Sequence, residues 1–271
     1  MTAVQKVIQY LAMALAVFLA VGLFVGLLGA VGLFSGAFGG DAVLDDIKTY
    51  PVSHSITKLD IRIHAADFTI ERADTCSVES NLKYLTVEED NGVLKIRENK
   101  RFGASYTDPV LILYLPDDTV WDAVEITTGA GRLTVDTLTT KTLALTLGAG
   151  DADIGSLNVA SRAEIEGGAG RITVADGVLH NLDLEMGVGR LMLTAVFSGN
   201  CELELGIGES NLTVLGEREA YLLAIEKGIG RITVDGTEVT DFGSSGNGKN
   251  RIELQGGIGA IYVSFEGSEA T

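Results

Sequence analysis

The stretch GAGRLTV, residues 129–135, returns as GAGRITV at 168–174 and as GIGRITV at 228–234. Looser copies read GAGDADI at 148–154, GVGRLML at 187–193 and GIGAIYV at 257–263. The first glycine of each G-x-G falls at 129, 148, 168, 187, 206, 228 and 257, at intervals of 19, 20, 19, 19, 22 and 29 residues. Self-similarity near 20 residues marks a stacked-repeat architecture. The glycines either cradle a ligand or turn a corner, and their neighbours decide between the two.

Before the corners the chain alternates. Leu143, Leu145 and Leu147 share one face of TLALTL; Leu182, Leu184 and Met186 share one of NLDLEM; Cys201, Leu203 and Leu205 share one of CELEL. After them a second short strand turns Leu133 and Val135 inward, and likewise Ile172 with Val174 and Ile232 with Val234. Period two is the pattern of a half-buried strand. Each unit is therefore strand, corner, strand and return. One unit cannot bury its apolar side alone, whereas stacked copies close a continuous core. The middle residue is always apolar (Ala130, Ala149, Ala169, Val188, Ile207, Ile229, Ile258), which predicts that it packs inward. The paired glycines Gly129 and Gly131, Gly148 and Gly150, Gly168 and Gly170, Gly187 and Gly189, Gly206 and Gly208, Gly228 and Gly230, and Gly257 and Gly259 are then structural corners. The expected fold class is all-β, a β-solenoid of about 20-residue rungs.

The pattern extends towards the N-terminus in disguise. LDIRIHAADFTI at 59–70 overlays LALTLGAGDADI at 143–154, with His64-Ala65-Ala66 in place of Gly148-Ala149-Gly150. Residues 84–98 read as a hairpin turning at Asn91-Gly92, and VLILYLP at 110–116 as a strand stopped by Pro116. Residues 41–128 are expected to form an irregular β cap and lead-in strands, residues 129–271 the regular repeats, with IELQGGIGAIYVSF closing the C-terminal end. Together 41–271 would make one continuous domain outside the cell.

Residues 11–38 hold no charge and only Ser35 as a polar side chain. That exceeds the ~20 residues needed to span a bilayer and the apolar region of a secretory signal. A single transmembrane helix within residues 1–40 is expected, a cleaved signal being the alternative. Lys6 before the span and Asp41, Asp45 and Asp46 after it place the N-terminus in the cytoplasm and the rest outside. The GxxxG pairs Gly22/Gly26 and Gly32/Gly36 permit close helix contact in lipid.

The net charge is −17, and Lys6 is the only charged side chain before Asp41. Nucleic-acid binding needs a basic footprint and is excluded on this balance. Divalent cations, cationic peptides or a basic envelope protein are the expected partners. On the strand before each corner, Glu164 and Glu166, Asp183 and Glu185, and Glu202 and Glu204 face outward, continued by Glu226 and Glu253. Rungs ~4.8 Å apart turn these into an acidic, cation-attracting strip. The plain alternative is a solvated face partly balanced by Arg132, Arg171, Arg190 and Arg231 past the corner.

Chemistry is sparse. GSSGNGKN at 243–250 misses a phosphate loop, because Asn250 replaces the magnesium-binding hydroxyl and no helix follows. GGAGRI at 167–172 puts Ile172 where a calcium nonapeptide needs Asp. His54, His64 and His180 lack zinc-site spacing. Of the two cysteines, Cys76 and Cys201, the latter shares the parity of Leu203 and Leu205 and reads as a core residue. One Trp and 6% aromatics supply no sugar platform. No cofactor, metal or catalytic residue is assigned, and the chain reads as a non-enzyme.

The chain resembles a bacterial putative-adhesin domain family of unknown function, made of repeated β-strands and often membrane-anchored. The resemblance rests on LDIRIHAADFTIERAD, on LYLPDDTVWDAVEITTGAGRLTV, on the serial G-x-G rungs and on GGIGAIYVSF, and covers residues 55–265. It implies a β-solenoid and a cell-envelope setting, with some relatives tied to envelope-stress regulators. The expected function is adhesin-like binding or envelope sensing; the alternatives are an inert scaffold for a membrane partner or a glycan-active β-helix enzyme.

Overall fold

A computed structural model describes residues 46–53, 55–99, 108–117, 119–239 and 243–267. The membrane span expected at 11–38 and its GxxxG pairs lie outside the described residues, as does His54. The described chain is all-β apart from a 3-10 turn at Arg218–Ala220. Its strands are β1 (Lys48–Pro51), β2 (Lys58–Ala73), β3 (Ser77–Ser80), β4 (Leu85–Asp90), β5 (Val93–Glu98), β6 (Val110–Pro116) and β7 (Trp121–His180), which runs through several coils. They continue with β8 (Leu182–Ser198), β9 (Asn200–Leu215), β10 (Tyr221–Glu226), β11 (Ile229–Val234), β12 (Thr237–Glu238), β13 (Gly243–Ser245) and β14 (Asn250–Glu266).

The repeats stack in parallel, letter on letter. Leu184 pairs with Ile165, Leu203 with Leu184, Leu254 with Leu203 and Ile225 with Leu254. This column is buried throughout. Each such side chain contributes about 1.5–3 kcal/mol by leaving water. The early disguised unit takes its place too: Ala65 pairs with Ala130 and Ala66 with Gly131. Central coils also have a short third segment, seen where Val178–His180 pairs with Val196–Ser198 and where Leu157 and Val159 are buried.

Both ends are closed by strands that run back. At the N-terminal end β5 lies parallel on the first half of β2, and β4 folds onto it through Asn91 (φ 50°) and Gly92 (φ 78°). The second half of β2 carries β6, then β3 and β1.

At the other end the order departs from expectation. The last strand in sequence, β14, does not close the stack; it lies between β9 on one side and β10 and β11 on the other. The cause is local. Asp235 (φ 47°) and Gly236 (φ 76°) form a two-residue turn that folds β12 back onto β11, the geometry of a tight hairpin. Farther along the same return, β13 covers β10. With its outer edge occupied by its own chain, the 221–234 coil accepts no further parallel coil there. The stretch read as a near-phosphate loop is thus partly an edge strand, Gly243–Ser245, with Arg218 donating to Ser245 O at 3.2 Å.

Candidate binding surface

The corner glycines are forced by the coil beneath them. A Cβ on Gly148 would strike the carbonyl oxygen of Gly129, and one on Gly170 would strike that of Gly150. Gly170 also holds φ at 138°, where L side chains are strained. The first corner, His64-Ala65-Ala66, has no earlier corner to sit on. There the carboxylate of Glu98 takes over: Oε2 accepts the N–H groups of His64 (2.6 Å) and Ala65 (3.0 Å). The Glu98 side chain is fully buried, and its Oε1 has no hydrogen-bond partner.

The middle residue of the corner faces outward, contrary to expectation. Ala130 and Ala149 are exposed, Ala169, Val188, Ile207 and Ile258 are half-buried, and Ile229 is 50% exposed. The inner angle of the bend is already filled by the side chains on either side of it, such as Met186 and Leu191, so the middle one turns out. In stack order these residues read Ala65, Ala130, Ala149, Ala169, Val188, Ile207, Ile258, Ile229. An apolar ridge runs along the stack and thickens towards the end formed by β10 and β11.

The outward acids fall into two neighbouring columns. Glu164, Asp183, Glu202 and Glu253 form one; Glu166, Glu185 and Glu204 form the other, which continues through Gln255 to Glu226. Burial and the carboxylates of Glu185, Glu202 and Asp183 hold the Glu204 carboxyl above the usual range. Some relief comes from Arg162, which donates to Asp183 at 3.1 Å, from Gln255, which donates to Glu202 at 3.1 Å, and from Arg251 against Glu253.

The arginine row does not neutralise this strip; it stands on the far side of the corner in a mixed column of its own. Arg132 pairs with Asp67, Arg190 with Arg171 and with Glu209, Glu209 with Ala260, and Ala260 with Arg231. Arg171 spends its charge on Asp151, at 2.6 Å.

Other candidate chemistry stays dispersed. Cys76 and Cys201 are free and buried. Burial, then Glu89, pushes the Cys76 thiol up to about 11, and burial raises Cys201. His180 Nδ1 lies 2.8 Å from Ser198 Oγ. Among the described residues no group of three His, Cys, Asp or Glu side chains is placed to hold a metal ion. A cavity of about 340 Å³, counting space open to solvent, lies at the last corners between Met186, Leu205, Ile232, Ile258 and Ile261, with no carboxylate or histidine in its lining.

A family profile for Toastrack DUF4097 matches residues 56–247, the stretch from the lead-in to β2 through β13. This chain belongs to the Toastrack DUF4097 family. Among solved structures, a putative adhesin from Bacteroides fragilis NCTC 9343 is 15% identical with a TM-score of 0.51, over 80% of this chain and 95% of that one. A putative adhesin from Parabacteroides distasonis ATCC 8503 is 18% identical with a TM-score of 0.43, over 84% of this chain and 98% of that one. A putative lipid binding protein from the same strain is 14% identical with a TM-score of 0.31, over 83% and 97%. At 15% identity the likeness to the Bacteroides fragilis structure is one of fold. No curated protein matches the chain.

Sequence reasoning missed Glu98 and the place of β14. Both had signals. Glu98 shares the inward parity of Leu94 and Ile96 in VLKIRE, and Asp235-Gly236 between alternating strands is a hairpin turn.

Proposed function

We propose that this chain is a membrane-anchored, non-enzymatic binding module held outside the cell, with the two acidic columns as its binding surface for a cationic partner. The observation that carries the reading is the register. Glu164, Asp183 and Glu202 stand beside Glu166, Glu185 and Glu204 on three consecutive coils. Like charges opposite one another destabilise a sheet, and the Glu204 carboxyl is raised by burial first and then by the neighbouring Glu185, Glu202 and Asp183. A cation relieves this repulsion. The anchor follows from residues 11–38, whose length and lack of charge suit a bilayer span.

The test is thermal. The full chain in detergent is melted with and without calcium and, separately, a lysine-rich peptide, at low and moderate salt. A ligand at 100 times its dissociation constant adds about 2.7 kcal/mol. A saturable rise in Tm that weakens with salt is the expected result for at least one ligand; no shift with either sinks the reading. Alkaline carbonate extraction tests the anchor separately, and release into the supernatant overturns it.

A further inference from the structure

The corner motif carries opposite charges on its two flanks. Glu166-Gly-Gly-Ala-Gly-Arg171, Glu185-Met-Gly-Val-Gly-Arg190 and Glu226-Lys-Gly-Ile-Gly-Arg231 share one plan: an acid, a corner bearing the outward apolar residue, then an arginine. Parallel stacking extends the plan into three lines, an acidic column, an apolar ridge and an arginine-bearing column. Among the described residues Arg190 and Arg231 make no ion pair within 4 Å, whereas Arg171 and Arg162 pair with Asp151 and Asp183.

Such a surface is complementary to itself in one orientation only. A two-fold axis parallel to the stack lays ridge on ridge and turns the acidic flank of each copy onto the arginine flank of the other. Each ridge residue then meets its own counterpart, as in any isologous contact. Glu166 faces Arg171 of a second copy, Glu185 faces Arg190 and Glu226 faces Arg231. A two-fold axis across the stack makes the ridges antiparallel and sets acid on acid, which repels. The apolar ridge supplies the attraction, strongest at Val188, Ile207, Ile258 and Ile229, where the side chains are largest.

We infer that the corner ridge is a self-association surface through which two copies of this chain pair side by side and parallel, with both N-termini at the same end. This inference shares the Glu166–Glu185 column with the cation-binding reading, but its test reads contact at the ridge, which fails or succeeds independently of any added cation. A single ridge offers less than the ~1,600 Å² of a standard interface, so the pair is weak in dilute solution. Two chains held in one membrane face each other at a raised effective concentration. The plan is not kept on every coil: Thr146 and Asp151 replace the acid and the arginine on one, and Gln255 and Ala260 replace them on β14. Glu209 stands where an arginine belongs, so Glu204 of one copy faces Glu209 of the other.

The test is disulfide trapping of the full chain in membranes or mild detergent. Val188→Cys, Ile207→Cys and Ile229→Cys are made singly and oxidised, with Ser161→Cys, exposed on the third segment, as the control for random collision. Native Cys76 and Cys201 are buried and do not interfere. All three ridge variants should give a covalent dimer several-fold above the control. Adding Glu209→Arg to Ile207→Cys should raise the yield further, and adding Arg190→Glu with Arg231→Glu should lower it several-fold. Dimer at one ridge position only means an antiparallel contact and overturns the inference. So does a yield equal to the control, indifference to the charge changes, or crosslinking to another protein alone. Each variant's Tm is checked, and a misfolded ridge variant is replaced by Ile258→Cys, a further large ridge position.

Discussion

Glu98 does at the first corner what a backbone carbonyl does at all the others. Its carboxylate accepts two N–H groups that have no coil beneath them, at full burial. Removing it leaves those donors dry, so Glu98→Ala should cost about 2–3 kcal/mol, read as a lower Tm. Glu98→Gln should cost clearly less, because one oxygen makes both bonds and the amide oxygen can replace it; equal losses would refute the capping role. At Glu204 the sign is opposite. Its folded pKa is raised, by burial first and then by Glu185, Glu202 and Asp183. A raised carboxyl favours the fold below the unfolded value, and that contribution is lost as pH climbs through the folded one. Glu204→Gln should therefore raise Tm at pH 7, and the gain should vanish towards about pH 4, near the ordinary Glu value. A gain that persists in acid would point to another cause. The acidic columns were legible in the sequence because outward positions recur with the repeat. The capping role of Glu98 was not, since it depends on which strand lands at the end of the stack.

At the scale of the coil, the corner separates two kinds of apolar residue that look alike in sequence. Leu205 points into the core and Ile207, two residues on, points out. Leu205→Ala should cost about 2–5 kcal/mol, while Ile207→Ser should leave the melting temperature nearly unchanged; similar losses from both would restore the inward corner. Gly170→Val places a side chain against the Gly150 carbonyl and demands a left-handed φ. It should cost at least about 2 kcal/mol, and an unshifted Tm would refute the stacking of corner on corner. Alternation and the ~20-residue interval revealed the arms and the bend. They could not reveal the direction of the middle residue, because it sits at the bend itself, across which the inward parity shifts from Leu205 to Ser210.

For the whole molecule, the buried thiols report how the stack comes apart. Cys76 lies by the N-terminal cap and Cys201 in the middle coils, both buried. Neither should react with iodoacetamide at pH 8 in the folded chain. In rising urea both should become reactive in one transition, because one apolar core runs the length of the stack. Two separate midpoints would mean that coils open independently, as loosely coupled repeats do. The family and the all-β stack were readable from end to end, but the order of the last coils was not, since the ladder of G-x-G letters is silent about which neighbour each coil chooses. That order bears on synthesis. Among the described residues, 221–234 find their parallel partner only in 250–266. During translation at 5–20 residues per second, the outermost coil waits unseated until residues 250–266 have emerged. A stop codon placed just before residue 250 would therefore remove an inner layer and strand a finished coil with nothing beneath it.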